Sequence, residues 1–200
     1  FTRFTRISRV AWFPRLPRIA RISRVTWLAR AVVKQLILTV TRQCNLRCSY
    51  CPTAKDGWPS LTAKDARKAV QLFGDLQGGG SIKIFGGEPL LVPEVVRAAL
   101  EEARNDPRIR WVYLSTNGLG LDDQWLDYLS DYPKAILTVS MDGKPEDHRG
   151  QRRPVRADIP DTYDHVLALS PRLTTMSRVV LTQTIAPSTA YRAAENFQHL

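Results

Sequence analysis

Residues 35–51 read QLILTVTRQCNLRCSYC, and the rest of the chain is best understood outward from them. The first half, Gln35 to Thr41, is a short apolar run with β-branched members, the pattern of a buried strand. The second half holds Cys44, Cys48 and Cys51, the only three cysteines of a 200-residue chain. An odd set packed this tightly makes a poor disulfide framework and a good metal or cluster site in a reducing compartment.

Beyond this stretch the pattern repeats. Thr62, with Asp65 three residues on, caps a helix whose apolar stripe is Ala69, Val70, Phe73 and Leu76. Ser81 to Phe85 predicts a second strand, and Pro93 opens a helix with Val96, Ala99, Leu100 and Ala103 on its apolar face. Trp111 to Ser115 predicts a third strand, followed by a helix that starts at Asp122 and carries Trp125, Leu126 and Leu129. Ala135 to Ser140 predicts a fourth, with a helix from Thr162 to Leu169 after a longer loop. Arg178 to Ile185 predicts a fifth, and Thr189 to Leu200 a helix that continues to the last residue.

Five strand–helix alternations predict an α/β fold, a parallel sheet with helices outside it. Cys44 to Cys51, Gly86 to Pro89, Ser115 to Gly118, Ser140 to Gly143 and Gln183 each follow a different strand. In a parallel barrel the strand C-terminal ends share one face, so these segments converge on one site.

Thiolates are the usual protein ligands of iron–sulfur clusters. Spacings of four and three residues let one loop wrap three sulfurs around a corner of a cubane, leaving one iron open. The competing reading is a zinc site completed by His148, His165 or His199. A zinc knuckle pairs its cysteines as two separated dyads, and the sequence has no second dyad.

The C-x3-C-x2-C loop, with Tyr50 before its last cysteine and a strand before its first, resembles the radical S-adenosylmethionine (SAM) superfamily. Gly86-Gly87-Glu88-Pro89 matches that family's second signature. Ser115-Thr-Asn-Gly118 and Ser140-Met-Asp-Gly143, with His148-Arg149-Gly150 beyond, are similar to the branch that modifies peptides and proteins. That branch includes the sulfatase-maturing enzymes and those with a SPASM extension. The resemblance covers residues 35–200. It implies a partial (β/α)6 TIM-like barrel, of which about five units are present here, and a [4Fe–4S] cluster on Cys44, Cys48 and Cys51. It also implies that the open iron chelates SAM, that an electron breaks the sulfonium carbon–sulfur bond, and that a 5′-deoxyadenosyl radical abstracts hydrogen.

Around that chemistry the other residues take expected roles. Tyr50 places its ring near the adenine. Gly86 and Gly87, lacking Cβ, let backbone approach a ligand closely. Glu88 holds the SAM ammonium by a charge-assisted hydrogen bond. Ser140 and Asp142, with Ser115 and Asn117, offer hydrogen bonds to ribose hydroxyls. Arg149, Arg152 and Arg153 form a basic cluster, and the sequence does not choose which meets the SAM carboxylate.

The net charge of +10 is a property of one segment. Residues 1–34 hold eight Arg and one Lys with no acidic residue, and the remaining 166 are close to neutral. Phe1 to Arg15 and Leu16 to Arg30 are copies of one unit, identical at eight of fifteen positions. This basic arm reads as a disordered extension or as a weak binder of nucleic acid or anionic membrane. No apolar run approaches a membrane span, which points to a cytoplasmic protein. The first residue is Phe and the last lies in a predicted helix, so the chain reads as part of a longer protein. The expected partners are SAM, a peptide or protein substrate, and a reductant such as flavodoxin or ferredoxin. Two alternatives stay open: a cofactor-pathway enzyme of the molybdopterin or haem type, and a non-catalytic iron–sulfur or zinc module.

Overall fold

The structure, a computed structural model, describes residues 34–55 and 57–200. The expected basic arm therefore lies outside the described residues, apart from Lys34. In chain order the elements are β1 (Gln35–Thr41), β2 (Leu46–Cys48), α1 (Ala63–Gln77), β3 (Gly80–Gly86), α2 (Pro93–Asn105), β4 (Ile109–Thr116) and α3 (Asp123–Ser130). There follow β5 (Ala135–Ser140), α4 (Pro145–Gln151), β6 (Arg152–Pro154), α5 (Thr162–Leu173), β7 (Val179–Thr182) and α6 (Ala193–His199).

Five strands form one sheet in the order β1-β3-β4-β5-β7, and every neighbouring pair is parallel. Each long strand lies beside the next one in sequence, so the sheet winds one way, as a barrel does; a doubly wound sheet would reverse direction. Leu38, Val40, Ile82, Ile84, Val112, Leu114, Leu137 and Val139 turn to one face and pack with Val70, Phe73, Val96, Leu100, Leu126 and Val166 of the helices. The opposite, inner face is open: Ile37 is 60% exposed, Phe85 41% and Val180 45%. No helix among the described residues is long and apolar enough to cross a membrane.

The helix signals act as expected. Thr62 and Asp65 form a reciprocal capping box, and Gly78 closes α1 with φ of 71°. Asp122 caps α3 through the Trp125 N–H at 2.8 Å. Leu76 does not join the core and is 73% exposed. It lies about 90° around the helix from the stripe centred on Ala66, Val70 and Phe73.

Four elements differ from expectation, and one is α4, a helix within the stretch expected as a longer loop. The fifth strand stops at Thr182, because the Thr184 N–H donates to Asp142 Oδ1 and the Gln183 amide to the Asp142 carbonyl, drawing the chain off the ladder. The last helix is broken into a 3-10 turn, Ala190–Arg192, and α6. A small antiparallel ribbon of β2 and β6 was not foreseen; it pairs Leu46 with Pro154, Arg47 with Arg153, and Cys48 with Arg152.

Candidate functional site

The strand ends deliver the expected segments to one place. The cysteine loop leaves β1 and is clasped by the turn after β3, where Gly87 N–H donates to the Thr41 carbonyl and Glu88 N–H to that of Gln43, each at 2.8 Å. A Cβ on Gly87 would collide with the carbonyls of Gln43 and Arg42, and one on Gly86 with that of Thr41. The close approach these glycines permit is thus to the backbone leading into the cysteine loop.

Glu88 is tied to its own chain. Its side chain is buried, 1% exposed. Oε1 accepts from the Leu90 N–H at 3.0 Å and the Thr116 hydroxyl at 2.7 Å, while Oε2 accepts from the Asn117 N–H at 2.7 Å. Burial raises its pKa, opposed by those three donors. Three donors from its own fold hold the carboxylate, which orders the turn after β3 against the end of β4. Oε2, with a single donor, keeps the acceptor capacity that the expected contact with a SAM ammonium uses.

Asn117, held by Glu88, passes the link onward. Its amide donates to Asn45 Oδ1 at 2.8 Å, inside the cysteine loop, and lies 4.0 Å from Cys44 Sγ. Its own Oδ1 accepts from the Leu119 N–H. Ser115 Oγ is buried with no hydrogen-bond partner among the described residues, and Ser140 is half-buried at the end of β5. Ser115 therefore keeps the hydrogen-bonding capacity expected of it, whereas Asn117 is committed to the loop.

A second network ties the loop to β5. Asp142, 1% exposed, accepts from Tyr50 Oη at 2.9 Å, from Arg152 Nε at 2.7 Å and Nη2 at 3.0 Å, and from Thr184. Arg152 lies over the Tyr50 ring at 5.5 Å. The enclosed ion pair leaves no Asp142 oxygen open, so the ribose role expected for Asp142 is revised. Of the three arginines the sequence could not separate, Arg152 is the one beside the cysteines. Arg149 pairs with Asp161 and Asp164, and Arg153 points outward. His148 is buried, takes the Asp142 N–H on Nδ1 and meets the Thr162 hydroxyl through Nε2. Burial lowers its pKa to about 4, helped by the nearby Arg152.

The three cysteines are free and half-buried on one loop. Burial raises the thiol pKa of Cys44 and Cys48, countered by the Leu46 N–H and Lys55 at Cys44 and by Arg152 at Cys48. Soft thiols beside two cations suit an anionic, sulfur-rich group. Among the described residues no three His, Cys, Asp or Glu side chains converge as one metal ion requires. Of the three histidines the zinc reading would use, His148 has both ring nitrogens engaged, with the Asp142 N–H and the Thr162 hydroxyl. The donor set fits a cluster better than a single ion.

Asn45 and Thr116 carry no ligand-type signal of their own in the sequence. Both sit inside quoted motifs, and only the packing of β4 against the loop reveals their work.

The sequence model of the Radical SAM superfamily matches residues 38–181. The chain belongs to that superfamily. Its members are enzymes that use a [4Fe–4S] cluster and SAM. GTP 3′,8-cyclase 1 of Mycobacterium tuberculosis (strain ATCC 25618 / H37Rv) is 35% identical over 121 residues, covering 56% of this chain and 33% of the relative. Pre-heme d1 synthase of Dinoroseobacter shibae is 32% identical over 120 residues, covering 58% of this chain and 29% of the relative. This radical SAM chain thus spans about a third of the length of such relatives. Among solved structures, anSMEcpe with bound AdoMet and the Cp18Cys peptide superposes with a TM-score of 0.67 at 21% identity, over 82% of this chain and 46% of that one. That likeness establishes the shared barrel fold.

Proposed function

We propose that this chain is the catalytic core of a radical SAM enzyme acting on a small molecule of cofactor assembly, of the molybdopterin or haem kind. The observation that carries the substrate class is that curated relatives over more than half the chain are a GTP 3′,8-cyclase and a pre-heme d1 synthase. Cys44, Cys48 and Cys51 would hold the cluster. When bound and reduced, cluster and SAM together supply a 5′-deoxyadenosyl radical for hydrogen abstraction. The protein's own residues do the positioning. Glu88 after β3 and Asn117 after β4 brace the cysteine loop on one side, and Asp142 after β5 with Arg152 of β6 braces it through Tyr50 on the other. Ser115 and Ser140 are the hydroxyls left to meet a ligand on the inner side of the barrel.

Peptide or protein modification is the second reading. It is supported by Ser140–Gly143 and His148–Gly150, which resemble that branch and in which Asp142 and His148 are joined by a hydrogen bond. The test is anaerobic reconstitution, reduction and assay of 5′-deoxyadenosine from SAM. GTP and a cysteine-containing peptide are offered in separate arms, each deuterated. Deuterium reaching 5′-deoxyadenosine from GTP supports the first reading, and from the peptide the second. Replacing any one cysteine by alanine is expected to abolish both the cluster absorption and SAM cleavage. A reconstituted, reduced protein that releases no 5′-deoxyadenosine would overturn the catalytic reading.

A further inference from the structure

The inner face of the sheet carries one charge, and the described fold does not answer it. Strand register sets out this face row by row. Ile37, Lys83, Tyr113 and Ile136 lie side by side across β1, β3, β4 and β5. One row nearer the strand ends, Thr39 stands beside Phe85, and Thr138 beside Val180. Along the inner-face positions of the five strands Lys83 is the one charged residue. It is half-buried, and among the described residues no carboxylate pairs with it. Other lysines of the fold are spent. Lys134 gives its protons to the carbonyls of Ala103, Arg104 and Asp106, and Lys144 pairs with Glu195.

Phe85 fixes where the ammonium points. Lys83 Nζ lies 5.2 Å from the centroid of that ring, which stands two residues further along β3. The side chain therefore leans toward the strand ends, where the cysteine loop begins. Attraction to the ring offsets only part of what a half-buried cation loses in water. Around it the wall is apolar, through Ile37, Phe85 and Val180. Ile37, beside Lys83, precedes Thr41 by four residues, about 13 Å of strand. An anion on the ammonium thus stands a small ring system away from the loop that carries the sulfurs.

We propose that Lys83 seats one carboxylate of the substrate, whose apolar body lies along Ile37, Phe85 and Val180 toward the cysteine loop. The proposal rests on the reading of this chain as a radical SAM core for a small molecule, and narrows it to a carboxylated, largely apolar compound. One ammonium neutralises one carboxylate. A triphosphate tail in this place would leave further charges among apolar side chains with no described cation to pair them, which is costly. The substrate is then a ring compound bearing carboxylates, as haem precursors are, and not a nucleoside triphosphate.

The test uses the whole chain, with Lys83→Met and Lys83→Gln to remove the charge and Lys83→Arg to restore it. Two fluorescent probes share one ring system: 1-anilinonaphthalene-8-sulfonate carries a single anion, and N-phenyl-1-naphthylamine carries none. Residues 1–34 are common to every chain, so their charge cancels in the comparison. The expected result is a dissociation constant for the sulfonate raised about tenfold or more in the Met and Gln variants, restored in the Arg variant, and unchanged for the neutral probe. In competition, 1-naphthoate displaces the sulfonate from the parent and loses the same factor in the uncharged variants, whereas 1-naphthyl phosphate and GTP compete more weakly. Equal sulfonate binding in the parent and both uncharged variants overturns the proposal. So does an equal loss of the neutral probe, which would assign the effect to the lysine stem. A parent that prefers GTP to 1-naphthoate through Lys83 overturns it as well. Binding needs neither cluster nor SAM cleavage, so the two readings fail separately. A chain that shows the charge-dependent difference but releases no 5′-deoxyadenosine keeps the seat and loses the catalytic reading. A chain that cleaves SAM but shows no difference loses the seat alone.

Discussion

Buried carboxylates brace this site in a way their motifs do not announce. Glu88 and Asp142 each stand in a segment that reads as ligand-binding, and each is held by donors of its own chain. Residue type and strand position were legible in the sequence; the partner was not, because a carboxylate looks the same whether it faces a ligand or three backbone and side-chain donors. His148 gives this residue-scale network a measurable signature. Its folded pKa is about 4, below the ordinary value of 6.5, since burial and Arg152 disfavour the charged ring. Between those values the unfolded chain binds more protons than the folded one. Stability therefore stands in full above about pH 6.5, falls as the pH drops toward 4, and levels off below; the total loss is about 3 kcal/mol. The expected outcome is a His148 ring-proton NMR midpoint near 4 and urea midpoints that decline across that window. A midpoint near 6.5 would mean the ring is not enclosed.

At the scale of elements, the strands and the helix caps were readable because each depends on local pattern: β-branched runs, Thr62 with Asp65, Asp122, Pro93. The β2–β6 ribbon was not. Arg152-Arg153-Pro154 has no strand signal of its own and becomes one only where the cysteine loop offers Leu46 to Cys48 as a partner. The turn after β3 shows the same dependence on distant chain. Gly87 is needed because residues 42 and 43 run directly against it. Gly87→Ala must push the cysteine loop away, an overpacking cost of about 1–3 kcal/mol. The expected result is a lower melting temperature and a marked drop in iron bound after reconstitution. Gly150→Ala is the control: a Cβ there meets nothing within 4 Å, so both readings should stay at parent values. Equal iron content in the two variants would show that the turn does not set the loop.

For the whole molecule, one-way winding covers a single face of the sheet. Helices bury the outer side chains, while the inner side chains of successive strands stand in register without cover: Ile37 beside Lys83, Thr39 beside Phe85, Thr138 beside Val180. Ile37, Phe85 and Val180 are each more than 40% exposed, interspersed with Thr39, Lys83 and Thr138. The radical chemistry of the superfamily needs a dry chamber, and this is the surface able to floor one. Ile37 and Phe85 are diagonal neighbours at its centre, and neither belongs to the packed core. Replacing both by serine should leave stability within about 0.5 kcal/mol per site, as for surface positions generally. The same change should cut the binding of 1-anilinonaphthalene-8-sulfonate several-fold, read as fluorescence enhancement, whereas Leu167→Ser on the outer surface should alter it little. A double variant that binds the dye as strongly as the parent would place the accessible apolar surface elsewhere. A double variant that melts far earlier would show that the inner face is already sealed by the chain itself.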